Sequence, residues 1–394
     1  MCIKAGEHKL YCSDRENMKK GIYIHSVSSD AFPGVYKKIT DQIKCFSYFY
    51  DICEYQLESR CVNLAGLIVS NLPFGSYRYD YQSVLQSLED KKKDGGDFSF
   101  VYIRKQPIDR QMLRFIRMVR RLLPESKIIL EIPTYPYKME MLRVPTYIPF
   151  YIKDTIYKGQ LKKYVDRVVT FTELDYFAQI PVISIKNGID VSRLCPIKKN
   201  NDTDGYILRM IAVATFRPCD GYERIIEGLG IYNKSNHDID VELHLVGEGQ
   251  DLEKYKQMAH VLDVEDKVFF YGKRQGEELN MIYNNASIGL GFFGAYKDGL
   301  KVSSALKIRE YLAKGLPVVS AIEEDAFDNK QTDIYLKFDN DNSIVDIDSV
   351  VSFYSKLIDK YGGRENLANR IHNYAKDNVD MSVTMTPVIE YINQ

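Results

Sequence analysis

Residues 297–321 read KDGLKVSSALKIREYLAKGLPVVSA, and this stretch decides the fold because it runs a helix straight into a buried strand. The spacing predicts a helix from about Ser304 to Lys314. Ser303 or Ser304 is the expected N-cap, since a serine oxygen accepts an orphan N–H of the first turn. Gly315 suits the left-handed stop after the last helical residue, and Pro317 prevents a restart. The apolar run Leu316–Ser320 then enters a sheet. A helix start of this kind, here Ser303, Ser304, Ala305 and Leu306, offers free N–H groups and a partial positive charge to an anion. Lys307 adds a cation one turn in, and Glu310 lies three residues on along the same face. Together these residues read as a pyrophosphate and ribose site.

Working outward, the same alternation recurs on both sides. Short apolar runs at 206–214, 241–247, 267–272 and 286–292 are separated by amphipathic helices at about 221–232, 250–262 and 276–285. In the first half, Gly21–Ser26, Leu64–Ser70, Phe98–Ile103, Lys127–Ile132 and Asp166–Thr172 read as strands. Helices are expected between them at about 35–46, 80–91, 109–123 and 151–164. Alternating strands and helices predict α/β domains built on doubly wound parallel sheets. Residues 191–205, with Pro196 and KKNNDTDG, are polar and turn-rich, and read as a linker. The expected organisation is a first domain over 1–190 and a second over 206–375. A terminal helix within 376–394 has the option of crossing back to the first. Ligands of such folds bind outside the carboxyl ends of the strands, so the expected site is a cleft between two Rossmann-like domains.

Composition narrows the function. The 394 residues carry a net charge of −1, which gives no electrostatic case for nucleic acid. There are 30 Tyr and no Trp, a balance open to sugar stacking and to ordinary half-buried packing alike. The seven cysteines form no C-x-x-C and read as free thiols, and the six histidines lack metal-ligand spacing. No metal and no cofactor is expected. No signal peptide or membrane-spanning run is apparent, so a cytoplasmic protein is expected.

Five segments in order carry a family resemblance: KNGID (186–190), IAVATFRPCDGYERIIEGL (211–229), HLVGEGQDLEKY (244–255), VFFYGKRQGEEL (268–279) and ALKIREYLAKGLPVV (305–319). In that order they resemble the family-4 retaining glycosyltransferases of GT-B architecture, in particular the bacterial surface-polysaccharide type. The resemblance implies a donor pocket for a UDP- or GDP-sugar. Its phosphate loop would hold Thr215 and Arg217, its glycine turn Gly247 and Gly249, and its base-binding turn Gly272 and Lys273. Lys307 and Glu310 would complete it, with Arg217, Lys307 and Glu310 as the catalytic set. FPGVYKKI (32–39) and LEIPTYPY (130–137) look like acceptor-side loops. That places Gly34, Lys37, Glu131, Thr134, Tyr135 and Tyr137, with Asn187 and Gly188 of the connecting segment, on the acceptor or interdomain side. The reaction implied is transfer of a sugar to a glycan or lipid-linked acceptor.

Three positions depart from the family pattern. Its motif of two glutamates separated by seven residues ends at Glu310, but the first position holds Val302. Thr215 and Asp220 stand where the phosphate loop usually has cations. These departures motivate an alternative, a non-catalytic GT-B subunit that supports a partner enzyme. A nucleotide-sugar dehydrogenase lacks support, because a third glycine is missing after Gly247 and Gly249. An epimerase lacks an evident acid and base pair. Plainer alternatives stay open for single residues: Arg217 as a surface cation, Glu310 as a solvated helix residue, Asn187–Gly188 as a strand-end turn. Asp339-x-Asp341 spells a metal-binding pattern but falls in a polar turn, and no metal role is assigned to it. Finally, Arg110, Arg114, Arg117 and Arg121 recur at helical spacing along one face. That face is either a solvated surface or a contact with an anionic membrane.

Overall fold

Apolar runs of three to seven residues build two parallel sheets, one in each half of the chain. The computed structural model describes residues 18–28, 30, 33–57, 59–62, 76–104, 108–143, 145–197, 207–327 and 332–394. Two units emerge: Met1–Ile185 with Met385–Gln394 form unit 1, and Lys186–Thr384 form unit 2. The changeover thus falls at Ile185, a few residues ahead of the polar stretch at 191–205. Residues 385–394 belong to unit 1.

Unit 1 contains strands β1 (Lys20–His25), β2 (Asp51–Gln56), β3 (Ser59–Val62), β4 (Ser76–Tyr79), β5 (Phe98–Arg104), β6 (Lys127–Ile132), β7 (Arg167–Thr170), β8 (Tyr176–Phe177) and β9 (Ile180–Ser184). Seven of them form a sheet in the order β2-β1-β5-β6-β7-β9-β8, parallel except at β8. Its helices are α1 (Pro33–Ser47), α2 (Tyr81–Lys93), α3 (Arg110–Leu122), α4 (Lys138–Arg143) and α5 (Ile148–Tyr157). The helix expected over 151–164 divides into α5 and a 3-10 turn at Lys158–Lys163. The strand expected at Leu64–Ser70 lies outside the described residues. β2 and the β3–β4 pair are additions the sequence reading lacked. The central strands are buried on both faces, as parallel strands covered by helices must be.

Unit 2 contains β10 (Ile207–Val213), β11 (Asp240–Val246), β12 (Val268–Gly272), β13 (Ile288–Leu290), β14 (Val302–Ser303), β15 (Val318–Ser320), β16 (Glu323–Glu324) and β17 (Tyr335–Lys337). The main sheet runs β12-β11-β10-β13-β15-β17, all parallel. Counted within the unit, that is the 3-2-1-4-5-6 order of a Rossmann sheet, whose order reverses between β10 and β13. The helices are α6 (Glu223–Tyr232), α7 (Leu252–Val261), α8 (Gly276–Asn285), α9 (Leu306–Lys314), α10 (Ile347–Tyr361), α11 (Arg364–Asn378) and α12 (Met381–Thr384). Tyrosine here is mainly core: Tyr222, Tyr255 and Tyr311 are fully buried. The last helix, α13 (Thr386–Asn393), packs into unit 1, where Lys127 Nζ donates to Tyr391 O at 2.7 Å and Tyr50 OH to Asn393 Oδ1 at 2.8 Å.

Candidate functional site

The strand order of unit 2 puts its switch point between the loops that follow β10 and β13. There Phe293 N donates to Asp220 O at 2.9 Å, and Gly294 N to Cys219 O at 3.1 Å, locking the two loops together. α9 starts beside them. Its start differs from the sequence expectation: the helix begins at Leu306, Ala305 is the N-cap residue, and no side chain caps it. Ser303 is drawn instead into β14, paired in parallel with β16, so Val302 stands beside Glu323 and Ser303 beside Glu324. Ser303 Oγ accepts only from Ala305 N, at 3.2 Å, one residue short of the helix proper. An uncapped start leaves its first-turn N–H groups available to an outside acceptor. At its other end α9 stops at Gly315 in the left-handed conformation, as expected.

Lys307 is the largest correction. It is not a free cation but a largely buried one, donating to Asp220 Oδ1 at 2.9 Å, Tyr222 OH at 3.0 Å and Gly291 O at 3.1 Å. Those three acceptors use all three ammonium protons. Its Nζ also sits 3.9 Å from the centre of the Phe292 ring. Asp220, read from sequence as a cation lost from the phosphate loop, is the counter-charge of Lys307. It also accepts from Arg217 N at 3.0 Å, which shapes the loop. The Arg217 side chain is exposed, as is Thr215.

Gly247 and Gly249 do make close approaches, but to their own chain. A Cβ on Gly247 would meet Ala214 O at 1.9 Å, and one on Gly249 would meet Phe216 O at 2.4 Å. The pair therefore fits the β11 turn against the β10 loop. Gly272 (φ 64°) ends β12 and exposed Lys273 follows it, with open space around the glycine. Glu310 is half-buried, and Tyr283 OH approaches its Oε2 at 3.4 Å. Val302 is 60% exposed.

The segment leading into α9 is held from within unit 2. Asn187 Nδ2 donates to Ser304 O at 2.7 Å, and buried Arg309 donates from Nε to Asn187 O at 3.1 Å and from Nη2 to Ser304 Oγ at 3.3 Å. Arg309 is also paired with Asp325. A Cβ on Gly188 would meet Thr384 Oγ1 at 2.2 Å. Asn187 thus holds the helix entrance in place, and Gly188 lies close against α12.

One member of the site had no sequence signal. Glu324 is fully buried; Ser320 Oγ donates to its Oε1 at 3.0 Å, while Oε2 has no hydrogen-bond partner. Burial pushes its carboxyl up to about 7, against Ser303, Arg309 and Lys307, which pull the other way. Only the β14–β16 pairing, invisible in two-residue strands, brings it here.

In unit 1 the expected acceptor residues separate. Gly34 and Lys37 are exposed on α1, and Thr134 is exposed after β6. Glu131 is not on a surface at all: fully buried, it is paired with Arg104 and accepts from Tyr102 OH at 2.7 Å and Gln42 Nε2 at 2.8 Å. Tyr137 is buried and donates to Asp154 Oδ2 at 2.5 Å. Tyr135 packs edge-on against Phe177 and Tyr137. Arg110, Arg114, Arg117 and Arg121 all face solvent, whereas Arg120 turns to Asp166 and backbone carbonyls. Asp339 and Asp341 serve a loop: Arg224 donates to Asp339 O at 3.2 Å, and Ser343 N to Asp341 Oδ1 at 2.8 Å.

Comparison with known proteins follows this geometry. Residues 208–346, from β10 to the approach of α10, match the family model described as Glycosyl transferases group 1. Against curated proteins the sequence finds no match. Among solved structures, a glycosyltransferase from Rickettsia africae superposes with a TM-score of 0.59 at 11% identity, over 95% of this chain and 98% of its own. Anabaena Alr3699/HepE, solved with UDP and glucose, gives 0.57 at 12% identity, over 95% and 99%. Sucrose-phosphate synthase from Thermosynechococcus elongatus gives 0.56 at 10% identity, over 95% and 99%. At such identities the likeness speaks for the fold: this chain has the GT-B fold, two Rossmann-like α/β units, with the group 1 match confined to the second.

Proposed function

We propose that the chain is a retaining glycosyltransferase that moves a sugar from a nucleotide diphosphate to a hydroxyl of a glycan or lipid-linked acceptor, in the assembly of a surface polysaccharide. The observation that carries the reading is the uncapped start of α9 at the switch point of a Rossmann sheet, inside the segment that matches the group 1 model. In the proposed reaction the bond between the anomeric carbon and the pyrophosphate lengthens, and negative charge collects on the departing oxygen. First-turn N–H groups of α9 and the Arg217 guanidinium stabilise that charge. Lys307 stands behind them with its charge balanced by Asp220. Glu310 accepts from the ribose hydroxyls. The acceptor oxygen bonds to the anomeric carbon on the face the pyrophosphate leaves, and the acceptor's proton departs with the pyrophosphate. The chain's own donors thus do the work in this reading, without a metal. UDP- and GDP-sugars are the donors to test; the UDP found with the Anabaena relative favours the first. Gly34, Lys37 and Thr134 remain the proposed acceptor-side residues of unit 1. Arg110, Arg114, Arg117 and Arg121 are proposed to meet an anionic membrane at its cytoplasmic face; high salt is expected to release most of the bound protein, and binding wholly indifferent to salt would sink this electrostatic contact.

A second reading, a GT-B subunit that binds a nucleotide or glycan without catalysis in support of a partner glycosyltransferase, is favoured by the apolar, exposed Val302 and by the full engagement of Lys307. Thermal melts against UDP, GDP and their sugars test the shared claim. A ligand at a hundred times its dissociation constant stabilises by about 2.7 kcal/mol. Absence of any shift would overturn the donor site in the first reading and the nucleotide form of the second. A shift without donor hydrolysis or sugar transfer selects the second.

A further inference from the structure

Helix α5 of unit 1 is mounted the wrong way round for a water-facing helix. Tyr151 and Tyr157 pack toward the core and Asp154 is buried beneath them, where its Oδ1 accepts from Ile108 N at 3.3 Å and its Oδ2 from Tyr137 OH at 2.5 Å. The opposite stripe, Pro149, Ile152, Lys153 and Ile156, faces solvent. Those positions follow at helical spacing, and Ile152 is 53% exposed, Ile156 61%. Tyr147, just before the helix, is 48% exposed, and Leu142 of α4 is 38% exposed. A helix that buries its carboxylate and shows its isoleucines is expected to have something apolar to meet.

The charges around the stripe say what that is. From Pro145 to Lys163 the sequence has four lysines, Lys153, Lys158, Lys162 and Lys163, against one carboxylate, the buried Asp154. Lys153, Lys162 and Lys163 are exposed. The apolar surface is a short convex ridge of a few side chains. A stable protein interface buries roughly 1,200–2,000 Å² around a packed core, which such a ridge cannot supply by itself. A bilayer needs no complementary pocket. It takes a few apolar side chains at the boundary between headgroups and acyl chains, and lysines at the phosphate level.

We propose that α5 is a membrane-docking element, whose Ile152, Ile156 and Tyr147 enter the outer layer of an anionic bilayer while Lys153, Lys162 and Lys163 meet the lipid phosphates. The proposal extends the membrane contact ascribed to α3, yet it rests on a different helix and a different force, and it fails separately. Long lysine stems can lie along the apolar ridge while their charged ends reach the phosphates. An arginine face alone is an electrostatic contact and dissolves in salt. A ridge of isoleucines adds a part that salt does not remove.

The test is flotation of the full chain with vesicles of phosphatidylcholine, alone and with about one-third phosphatidylglycerol. Binding is expected to the anionic vesicles, with a residue persisting in high salt. The variant Ile152→Ser/Ile156→Ser should weaken anionic binding by about tenfold and abolish the salt-resistant part. Both side chains are largely exposed, so its melting temperature should match the parent; a collapse of the melt would show them to be core and overturn the proposal. A second variant, Lys153→Gln/Lys162→Gln/Lys163→Gln, should weaken binding only to anionic vesicles. Unchanged binding in the serine variant, with loss in Arg114→Gln/Arg117→Gln, would leave the α3 contact standing and remove α5. No binding by the parent to either vesicle overturns both contacts. A concentration-dependent dimer that the serine variant dissolves would give the ridge to a second copy of the chain instead.

Discussion

Glu131 in unit 1 and Glu324 in unit 2 are both shut off from water, yet their carboxyls are shifted in opposite directions. Burial works to raise both. For Glu131 it is outweighed by Arg104 and Lys38, with hydrogen bonds from Tyr102 and Gln42, and the carboxyl is held below its ordinary range. For Glu324 the hydrogen bonds and more distant cations offset burial only in part, and the carboxyl is pushed up to about 7. Both cations that act on it are already paired, Arg309 with Asp325 and Lys307 with Asp220. The difference teaches that burial by itself does not set a charge; the allotment of partners does.

The comparison can be broken at several points. The largest effects should come from removing the cation of a buried pair. Arg104→Met in unit 1 and Lys307→Met in unit 2 each strand a buried carboxylate, an event that costs about 3–5 kcal/mol, read by urea unfolding at pH 7. Adding Asp220→Asn to Lys307→Met should recover much of that loss. Recovery failing to appear would mean that Lys307 acts through packing on Phe292 rather than through its pair.

Glu324→Gln should act in the other direction. Between the ordinary value of 4.5 and about 7 the folded protein holds a proton that the unfolded chain releases, so stability falls as pH rises through that window and stays reduced above it. The neutral variant should therefore gain stability at pH 8, on the order of 3 kcal/mol, and gain nothing at pH 4.5. Equal gains at both pH values would refute the account. Glu131 has the reverse sign: its folded value is lowered, so its contribution is present above 4.5 and is lost as acid protonates it.

Smaller effects sharpen the picture. Ser320→Ala removes a hydroxyl that bonds Glu324 Oε1 and should cost about 1 kcal/mol, while shifting the pH transition upward. The neighbouring Glu323 is exposed and paired with Lys337, so Glu323→Gln should change stability by less than about 0.5 kcal/mol. Thermal melts at two pH values separate these adjacent residues.

How much of this was legible in the sequence follows from the range of each interaction. ILRMIAV of β10 and KIILEI of β6 are mainly apolar runs, and they became central parallel strands. The arginine face of α3 needed one helix and its period, and all four residues do face solvent. Gly315 needed only its own backbone. By contrast, Ser303 was read as a cap because its draw into β14 depends on Glu323–Glu324, twenty or so residues later, in strands too short for any period. The Lys307–Asp220 pair spans 87 positions. Glu131 was read as an acceptor contact, although a signal existed. It is a carboxylate inside the apolar run of a central strand of unit 1, a position buried on both faces, and such a carboxylate must be paired internally.

Unit 1 closes only with residues 385–394, and that has a consequence for how the protein is made. A ribosome emits 186–384 before 385–394, so the whole of unit 2 is made while unit 1 still lacks buried Val388, Ile389 and Ile392 and the carbonyls that hold Lys127. Domains usually finish in the order they are synthesised. Here the first to begin is the last to finish, and a released chain truncated after Thr384 should carry a protease-resistant second unit and a digestible first one.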